Sequence, residues 1–424
     1  MKVLVIGSGG REHALAWALR RTAEDQVELL CAPGNAGIGQ IARCVPIGAT
    51  DVSALARFAA DERVDLTIVG SEAPLARGIV DEFRRRGLTI VGPVAAAARL
   101  ESSKVFAKEF MARHKIPTAR FRVAESADEA VRIVRSGEFG EDAPVVIKAD
   151  GLAAGKGVVV ARDHREAERA IAEMMVQRKL GEAANRVVIE EALTGREASL
   201  MFWTDGRDYR LLPPARDHKR VGEGDTGPNT GGMGAITSDE VIDRTAFERA
   251  VREIIEPTLE GLRVEGIEFR GVIYLGLMLT AEGPCVLEYN VRLGDPEAQA
   301  ILVRLRSDLV QICDAVARGR LSEVKVSWAD GASACVVLAA RGYPEKPETG
   351  AVIRGLEEAT RAAEVEIFHA GTEKGRKGEW LTAGGRVLGV TAASATLEQA
   401  LARCYKAIEL IDWDGMHYRR DIGR

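Results

Sequence analysis

The sequence predicts an α/β protein that opens with a parallel sheet, and three observations carry that prediction. Short apolar, β-branched runs alternate with helical patterns through the first hundred residues. A glycine turn, Gly7-Ser-Gly-Gly-Arg11, separates the first run from the first helical pattern. The loops that follow successive runs carry polar and turn-forming residues. Strands alternating with helices bury both faces of a parallel sheet, and ligands of such sheets bind beyond the carboxyl ends of the strands.

Val3–Ile6, Val27–Cys31, Leu66–Val69 and Leu88–Val91 are the predicted strands of this first unit. Helical patterns lie near Glu12–Arg20, Val52–Ala60 and Leu75–Arg86. The loops Gly7–Arg11, Ala32–Asn35 and Gly70–Pro74 all follow strands and should share one rim. A second unit starts near Ser103. A helix over Lys104–His114 leads to a capping box, Ser126-Ala-Asp-Glu129, which opens another helix. Strands at Pro144–Lys148, Val158–Val160 and Val187–Glu191 surround the glycine-rich stretch Asp150–Gly157 and a helix over Arg165–Val176. Then come a strand at Ala198–Trp203, a polar loop Arg216–Gly234 and a helix over Glu240–Leu262. Strands Val272–Leu279 and Val286–Tyr289 complete this part. After Trp328 a last unit holds strands Ala334–Ala340, Val365–His369 and Val387–Thr391 and a helix over Leu397–Ile411.

The 424 residues, 46% hydrophobic and 29% charged, describe an ordinary globular chain with ample core. A net charge of -5 argues against a nucleic-acid partner. No apolar run approaches the ~20 residues a membrane span needs, and Met1–Gly7 is too short for a signal peptide. Cys31, Cys44, Cys285, Cys313, Cys335 and Cys404 are scattered without a Cys-x-x-Cys pair. They read as reduced, buried thiols of a cytoplasmic protein, not a disulfide framework or a zinc site.

The opening loop fails as a dinucleotide fingerprint. Glu12 stands where the third glycine belongs, and no acid ends the second strand to hold a ribose. A small phosphate on the helix start, helped by Arg11, is the better reading, with a plain turn as the bland alternative. Asp150–Gly157 resembles a Walker A loop but lacks its first glycine, its Ser/Thr and the following helix. Backbone N–H groups of such a hairpin can still lie over phosphates. Lys148, in an otherwise apolar strand, needs an anion. Glu190 and Glu191 end a strand, with Glu197 seven residues beyond Glu190; alone this is weak. Glu288 and Asn290 alternate on one strand, so carboxylate and amide oxygens project together toward a phosphate-bridging Mg²⁺, and Arg292 could hold a transferring phosphoryl group. The Arg216–Gly234 loop is too long and glycine-rich for a mere connection. His218 within it is as readily a local hydrogen-bond partner as a catalyst.

Together the motifs GSGGREHALAWAL, APGNAG, SEAPL, KADGLAAGKGV, DHKRVGEGDTGPNTGGMGA, EYNVRLGDPE, FHAGT and GGRVLGV resemble the phosphoribosylamine–glycine ligase (glycinamide ribonucleotide synthetase) family of ATP-grasp enzymes. The matches span essentially the whole chain in family order; RLGDPE and GPNTGGMGA are the specific ones. Four positions depart from the family's usual residues: Ser71, Arg216, Val291 and Leu293. Arg216 matters most, because it adds a charge beside a substrate loop.

The resemblance implies an ATP-grasp fold: a Rossmann-like substrate-phosphate domain (1–103), body segments (104–122 and 194–328), a lid (123–193) and a C-terminal domain (329–424). It implies ligation of glycine to 5-phosphoribosylamine in de novo purine biosynthesis, giving glycinamide ribonucleotide, ADP and phosphate through glycyl phosphate. ATP and Mg²⁺ (or Mn²⁺) are implied, with Glu288 and Asn290 as metal ligands. Lys104, Lys148, Gly155, Lys156, Gly157, Glu190, Glu191, Leu193 and Glu197 are implied to bind ATP. Gly9, Gly10, Arg11, Asn35, Glu72, Asn229, Thr230, Gly231 and Gly232 would bind substrate, and Arg292, Asp217 and Asp295 would be catalytic. The implied partners are small molecules, with room for transient contact with the preceding pathway enzyme. Three rivals stay open at this stage: another ATP-grasp ligase of phosphoribosyl purine precursors, a non-catalytic nucleotide-binding protein, and an NAD oxidoreductase.

Overall fold

The first strands stack as the alternation predicts. In the computed structural model, which describes residues 1–153, 156–362 and 364–424, a five-stranded parallel sheet contains β1 (Lys2–Gly7), β2 (Glu28–Pro33), β3 (Arg43–Cys44), β4 (Leu66–Val69) and β5 (Ile90–Val91) in the order β3-β2-β1-β4-β5. Helix Gly10–Thr22 follows the first strand directly. The single helix expected over Leu75–Arg86 is two, Glu72–Ala76 and Ile79–Arg85, because Gly78 sits in the left-handed region at φ +75° and stops the first.

A separate four-stranded antiparallel sheet, β6 (Phe121–Ala124), β7 (Val145–Ala149), β8 (Val158–Ala161) and β9 (Val187–Glu191), runs β6-β9-β7-β8 and has its own small core with helices Ala127–Arg135 and His164–Ile171. Half of the expected capping box is present: Ser126 Oγ accepts from the Glu129 N–H, but the Glu129 carboxylate reaches one residue further back and accepts from the Glu125 N–H instead of the Ser126 N–H. The helix expected to Val176 ends in a wider π-turn over Ala172–Val176.

The central sheet has nine strands. It is built from β10 (Arg196–Thr204), β11 (Tyr209–Leu211), β12 (Ala215–Asp217), β15 (Gly234–Thr237), β16 (Gly271–Thr280), β17 (Gly283–Asn290), β18 (Ala332–Ala339), β20 (Glu366–His369) and β23 (Arg386–Ser394). Its order is β17-β16-β10-β12-β15-β18-β23-β20, with β11 beside β10. The stretch expected as a loop over Arg216–Gly234 is instead partly paired: β12 joins β10 and β15, and β13 (Arg220–Gly222) pairs with β14 (Thr226–Asn229). Glycine and polar content hid the strands, because these short segments are ordered by neighbouring strands more than by their own propensity. The helix expected from Glu240 starts at Arg244, capped by Asp243. A small sheet of β19 (Val352–Ile353), β22 (Trp380–Thr382) and β21 (Thr372–Lys374) completes the chain.

Four cysteines are buried as expected; Cys44 is exposed and Cys285 only partly covered, so the expectation of uniformly buried thiols fails at those two. Among the described residues no helix is long and apolar enough to cross a membrane.

Candidate functional site

The rim beyond β1, β2 and β4 meets the segment Asn290–Gln299 that leaves β17, and the site is built along that seam. Glu12, the residue that breaks the dinucleotide fingerprint, folds back under its own loop. Its Oε2 accepts from the Gly9 N–H at 2.6 Å and its Oε1 from Arg11 Nε at 2.7 Å. A Cβ at Gly7 or Gly70 would overlap the Glu12 side chain, so both loops need glycine to pass it. This corrects the picture of a bare helix start. The Gly9 N–H is already bonded, and the carboxylate lies where a dinucleotide would need the third glycine.

Arg11 is almost wholly buried, and its Nη1 donates to the Leu293 carbonyl at 3.1 Å. Arg292 Nη1 donates to the same carbonyl at 3.1 Å. Two guanidinium groups, from residues 281 positions apart, thus share one acceptor. Among the described residues Arg11 Nη2 makes no hydrogen bond. The first loop presses on the later segment elsewhere too, since a Cβ at Gly10 would lie 2.7 Å from Gln299 Nε2. Asn35 is committed differently from a free ligand. Its amide nitrogen donates to the Ser8, His369 and Ala370 carbonyls and its oxygen accepts from the Ile38 N–H. It ties the APGNAG turn to the strand end of β20.

Arg292 is held by two carboxylates. Nη2 reaches Glu101 Oε1 at 2.7 Å and Nε lies 3.3 Å from Glu72 Oε2. Burial works against its charge, but Glu101 and Glu72 override it and hold the guanidinium firmly protonated. Nη2 also donates to Asn290 Oδ1 at 3.1 Å, so Arg292 meets the strand face of Glu288 and Asn290 although it lies beyond the strand. Glu288 Oε2 is 3.2 Å from Lys104 Nζ. Burial would raise its carboxyl pKa; the charges of Lys104, Lys219 and Lys148 reverse this and hold it well below the usual carboxylate range. An ionised carboxylate beside an amide oxygen is a hard-oxygen donor pair suited to a divalent cation that keeps phosphate and water ligands. Among the described residues no cluster of three or more His, Cys, Asp or Glu could cage a metal without a substrate's help.

Lys148 finds the anion its burial demanded: Nζ is 2.9 Å from Glu190 Oε2 and donates to the Leu287 carbonyl. Lys108, on the helix of Lys104, lies 3.1 Å from the same Glu190 oxygen and donates to Thr118 Oγ1. Burial, partly offset by Glu190, pulls Lys108 down to about 8. Glu190 Oε1 is buried with no partner. Glu191 instead faces Arg120, accepting from its N–H and from Nε. Leu193 is half-buried just beyond β9, and Glu197 pairs with Lys219 at 2.7 Å. Lys156 is exposed and Gly157 buried at the start of β8, whose carbonyl accepts from the Ala149 N–H. Gly155 lies outside the described residues.

The RLGDPE segment then meets the GPNTGGMGA loop. Asp295 Oδ2 is 3.1 Å from Arg386 Nη2 and its Oδ1 accepts from Gln299. Burial would lift its carboxyl; Arg386 and Arg11 bring it below the ordinary value. Arg386 Nη1 also donates to the Asp295 and Gly231 carbonyls. Asp217 is the opposite case: half-buried, with its buried Oδ1 unpartnered, its carboxyl is pushed well up by desolvation and by Glu297. Thr230 Oγ1 donates to the Lys219 carbonyl and accepts from the Gly232 N–H, while the Gly231 N–H donates to Tyr343 OH and Asn229 pairs with Arg220. His218 is a local partner: Nε2 accepts from the Gly423 N–H and Nδ1 faces the Gly234 carbonyl. Burial brings it to about 4, with Arg216 adding to the effect.

Three residues of this site were missed by sequence reasoning: Glu101, Lys108 and Arg386. Only Arg386 carried a signal, as the arginine of GGRVLGV.

Three family models match the chain: phosphoribosylglycinamide synthetase N domain over residues 1–101, its ATP-grasp (A) domain over 102–298, and its C domain over 333–424. A phosphoribosylamine–glycine ligase of Vibrio cholerae is 48% identical over 426 residues, covering 100% of this chain and 98% of that protein. One from Caldanaerobacter subterraneus is 46% identical over 423 residues, covering 100% and 99%. The crystal structure of the Thermotoga maritima phosphoribosylamine–glycine ligase superposes with a TM-score of 0.86 at 36% identity, covering 99% of this chain and 100% of that one. A biotin carboxylase from Campylobacter jejuni, at 14% identity and TM-score 0.73 over 98% and 92% of the two chains, shares the fold.

Proposed function

Since the chain belongs to the phosphoribosylglycinamide synthetase family, ATP-grasp ligases that join glycine to 5-phosphoribosylamine in purine biosynthesis, we propose how its own residues divide that reaction. Lys104, Lys148 and the hairpin around Lys156 and Gly157 hold the ATP phosphates. Glu190, Glu191 and Leu193 line the adenine pocket, Glu191 through its backbone because its carboxylate is engaged by Arg120, and Glu197 holds the ribose. Glu288 and Asn290 would hold Mg²⁺ or Mn²⁺, which supplies charge neutralisation at the phosphates.

A glycine carboxylate oxygen attacks the γ-phosphorus and ADP leaves. The amine nitrogen of 5-phosphoribosylamine then attacks the acyl carbon of glycyl phosphate, inorganic phosphate departs with the C–O bond pair, and the nitrogen loses a proton. Phosphoryl transfer asks for positioning and charge stabilisation more than for covalent chemistry, and Arg292, fixed between Glu72 and Glu101, is preorganised for it. Asp217 and Asp295 stand beside the glycine and amine, together with the loop Asn229–Gly232. Gly10, Arg11 through its free Nη2, and the turns of Gly9, Asn35 and Glu72 bound the phosphoribosyl end. The sheet β6–β9 and its helices form a lid that keeps water from the acyl phosphate.

The observation that carries this division is the shared Leu293 carbonyl. It fixes Arg11 of the amine-phosphate loop next to Arg292 of the phosphoryl site, so an amine anchored at one reaches the acyl group formed at the other. Oxygen-18 placed in the glycine carboxylate should appear in the released phosphate; label confined to AMP would replace glycyl phosphate with an adenylate.

A further inference from the structure

We infer that residues 417–424 act as a brace for the substrate loop, and that Arg419 is a positioning residue for the ligation. The inference rests on the reading that the loop after β12 approaches glycine and the amine. Arg419 is buried in a place with little reason for a bare cation. Its Nη1 donates to Asp225 Oδ1 at 2.7 Å and to the Arg220 carbonyl at 3.1 Å, and its Nε and Nη2 donate to Asp421. Asp421 in turn accepts from the Gly224 N–H at 2.8 Å. One guanidinium and one carboxylate of the brace therefore grip both ends of the turn between β13 and β14.

The grip continues to the chemical end of the loop. The Gly423 N–H donates to His218 Nε2 at 3.0 Å, and His218 neighbours Asp217. Arg216, the residue that departs from the family pattern, donates from Nη2 to the Arg424 carbonyl at 2.9 Å on the other side of Asp217. The brace thus touches the loop immediately before Asp217, immediately after it, and at its far turn. The charge that Arg216 adds is directed at the brace, where it meets the Arg424 carbonyl. Small misplacements of catalytic groups by distant residues can lower rates about 100-fold, so a loosened loop should be felt in turnover before it is felt in folding.

Two variants test this. Arg419→Ala removes the grip, and Asp225→Asn weakens it from a side chain that is mostly exposed, so the second keeps the fold if the first does not. Both should lower kcat/KM for glycine, Arg419→Ala by roughly 10- to 100-fold and Asp225→Asn by less. The dissociation constant of ADP should stay unchanged, cleavage of the 220–230 turn by protease should speed up, and Arg419→Lys should recover part of the loss. Unchanged kcat/KM for glycine in a folded Arg419→Ala would overturn the proposal. So would equal losses for glycine and ADP alongside a fall in melting temperature in both variants, the pattern of general destabilisation. Asp217→Asn separates the premise: if it turns over normally while Arg419→Ala does not, the role given to Asp217 is wrong and the brace acts through the rest of the loop. If both turn over normally, the loop's role at the substrate and the brace's role both fail.

Discussion

Three imidazoles in this chain are acceptors to backbone N–H groups or sealed from water, and together they make the fold acid-sensitive. His13 Nδ1 accepts from the His369 N–H at 2.8 Å and His218 Nε2 from the Gly423 N–H, so each of those nitrogens is unprotonated. His369 is buried against Thr372 and Trp380. Burial brings His13 to about 3, with His369 adding to the effect, and brings His218 and His369 to about 4. An unfolded histidine titrates near 6.5. Between pH 6.5 and 4 the unfolded chain therefore binds protons that the folded chain refuses, and stability falls as pH falls. At pH 5.5 the difference is about 1–2 kcal/mol for each imidazole and about 4 kcal/mol for the three, a large share of the ~5–15 kcal/mol that holds a typical protein together. Chemical denaturation at pH 7.5 and 5.5 should show that loss. His218→Gln, whose amide oxygen can still accept from Gly423, should remove about a third of it. An unchanged pH-dependent loss in His218→Gln, or imidazole resonances of the folded protein titrating near pH 6.5, would refute the reasoning.

Glu288→Gln keeps the shape but removes the charge facing Lys104, so Mn²⁺ binding in the presence of ADP and ADP release should collapse while the melting temperature stays within a few degrees; strong Mn²⁺ binding in that variant would exclude Glu288 as a ligand. Arg11→Ala should raise KM for 5-phosphoribosylamine roughly 10- to 100-fold and leave KM for ATP nearly unchanged, as measured by coupled ADP release. Equal increases for both substrates would reassign the opening loop to the nucleotide.

Features set by local chemistry were legible before the structure. The strands of the first sheet follow from apolar runs punctuated by glycine, and the Ser126 N-cap from a four-residue spacing. Lys148 in an apolar strand called for an anion, read from the sequence as a phosphate; in the structure the carboxylate of Glu190 meets it. What stayed hidden depends on partners far along the chain. That Arg11 would bond a carbonyl 282 residues away, or that Asn35 would tie itself to His369 and Ala370, leaves no trace in local pattern. Glu101 and Lys108 look like ordinary polar positions on their helices until β17 and β9 are laid against them. The β12–β15 region misled for the converse reason. Its glycines and charges read as a loop, yet β10 and β18 flank it and complete its ladders.

The family's modules end at residue 298 and resume at 333, but the nine-stranded sheet does not stop there. β15 is hydrogen-bonded to β18 across that gap, and β18 to β23 beyond it. An evolutionary seam is thus not a mechanical one. The last hundred residues form a continuous girder with the phosphoryl-transfer half, and force applied to one is borne by the other. Cutting the chain near residue 330 would strip β15 of its neighbour and leave a raw strand edge, an invitation to aggregate. The sheet of β6–β9 pairs with no strand of this girder and meets it through side chains such as Lys148, which donates to the Leu287 carbonyl of β17.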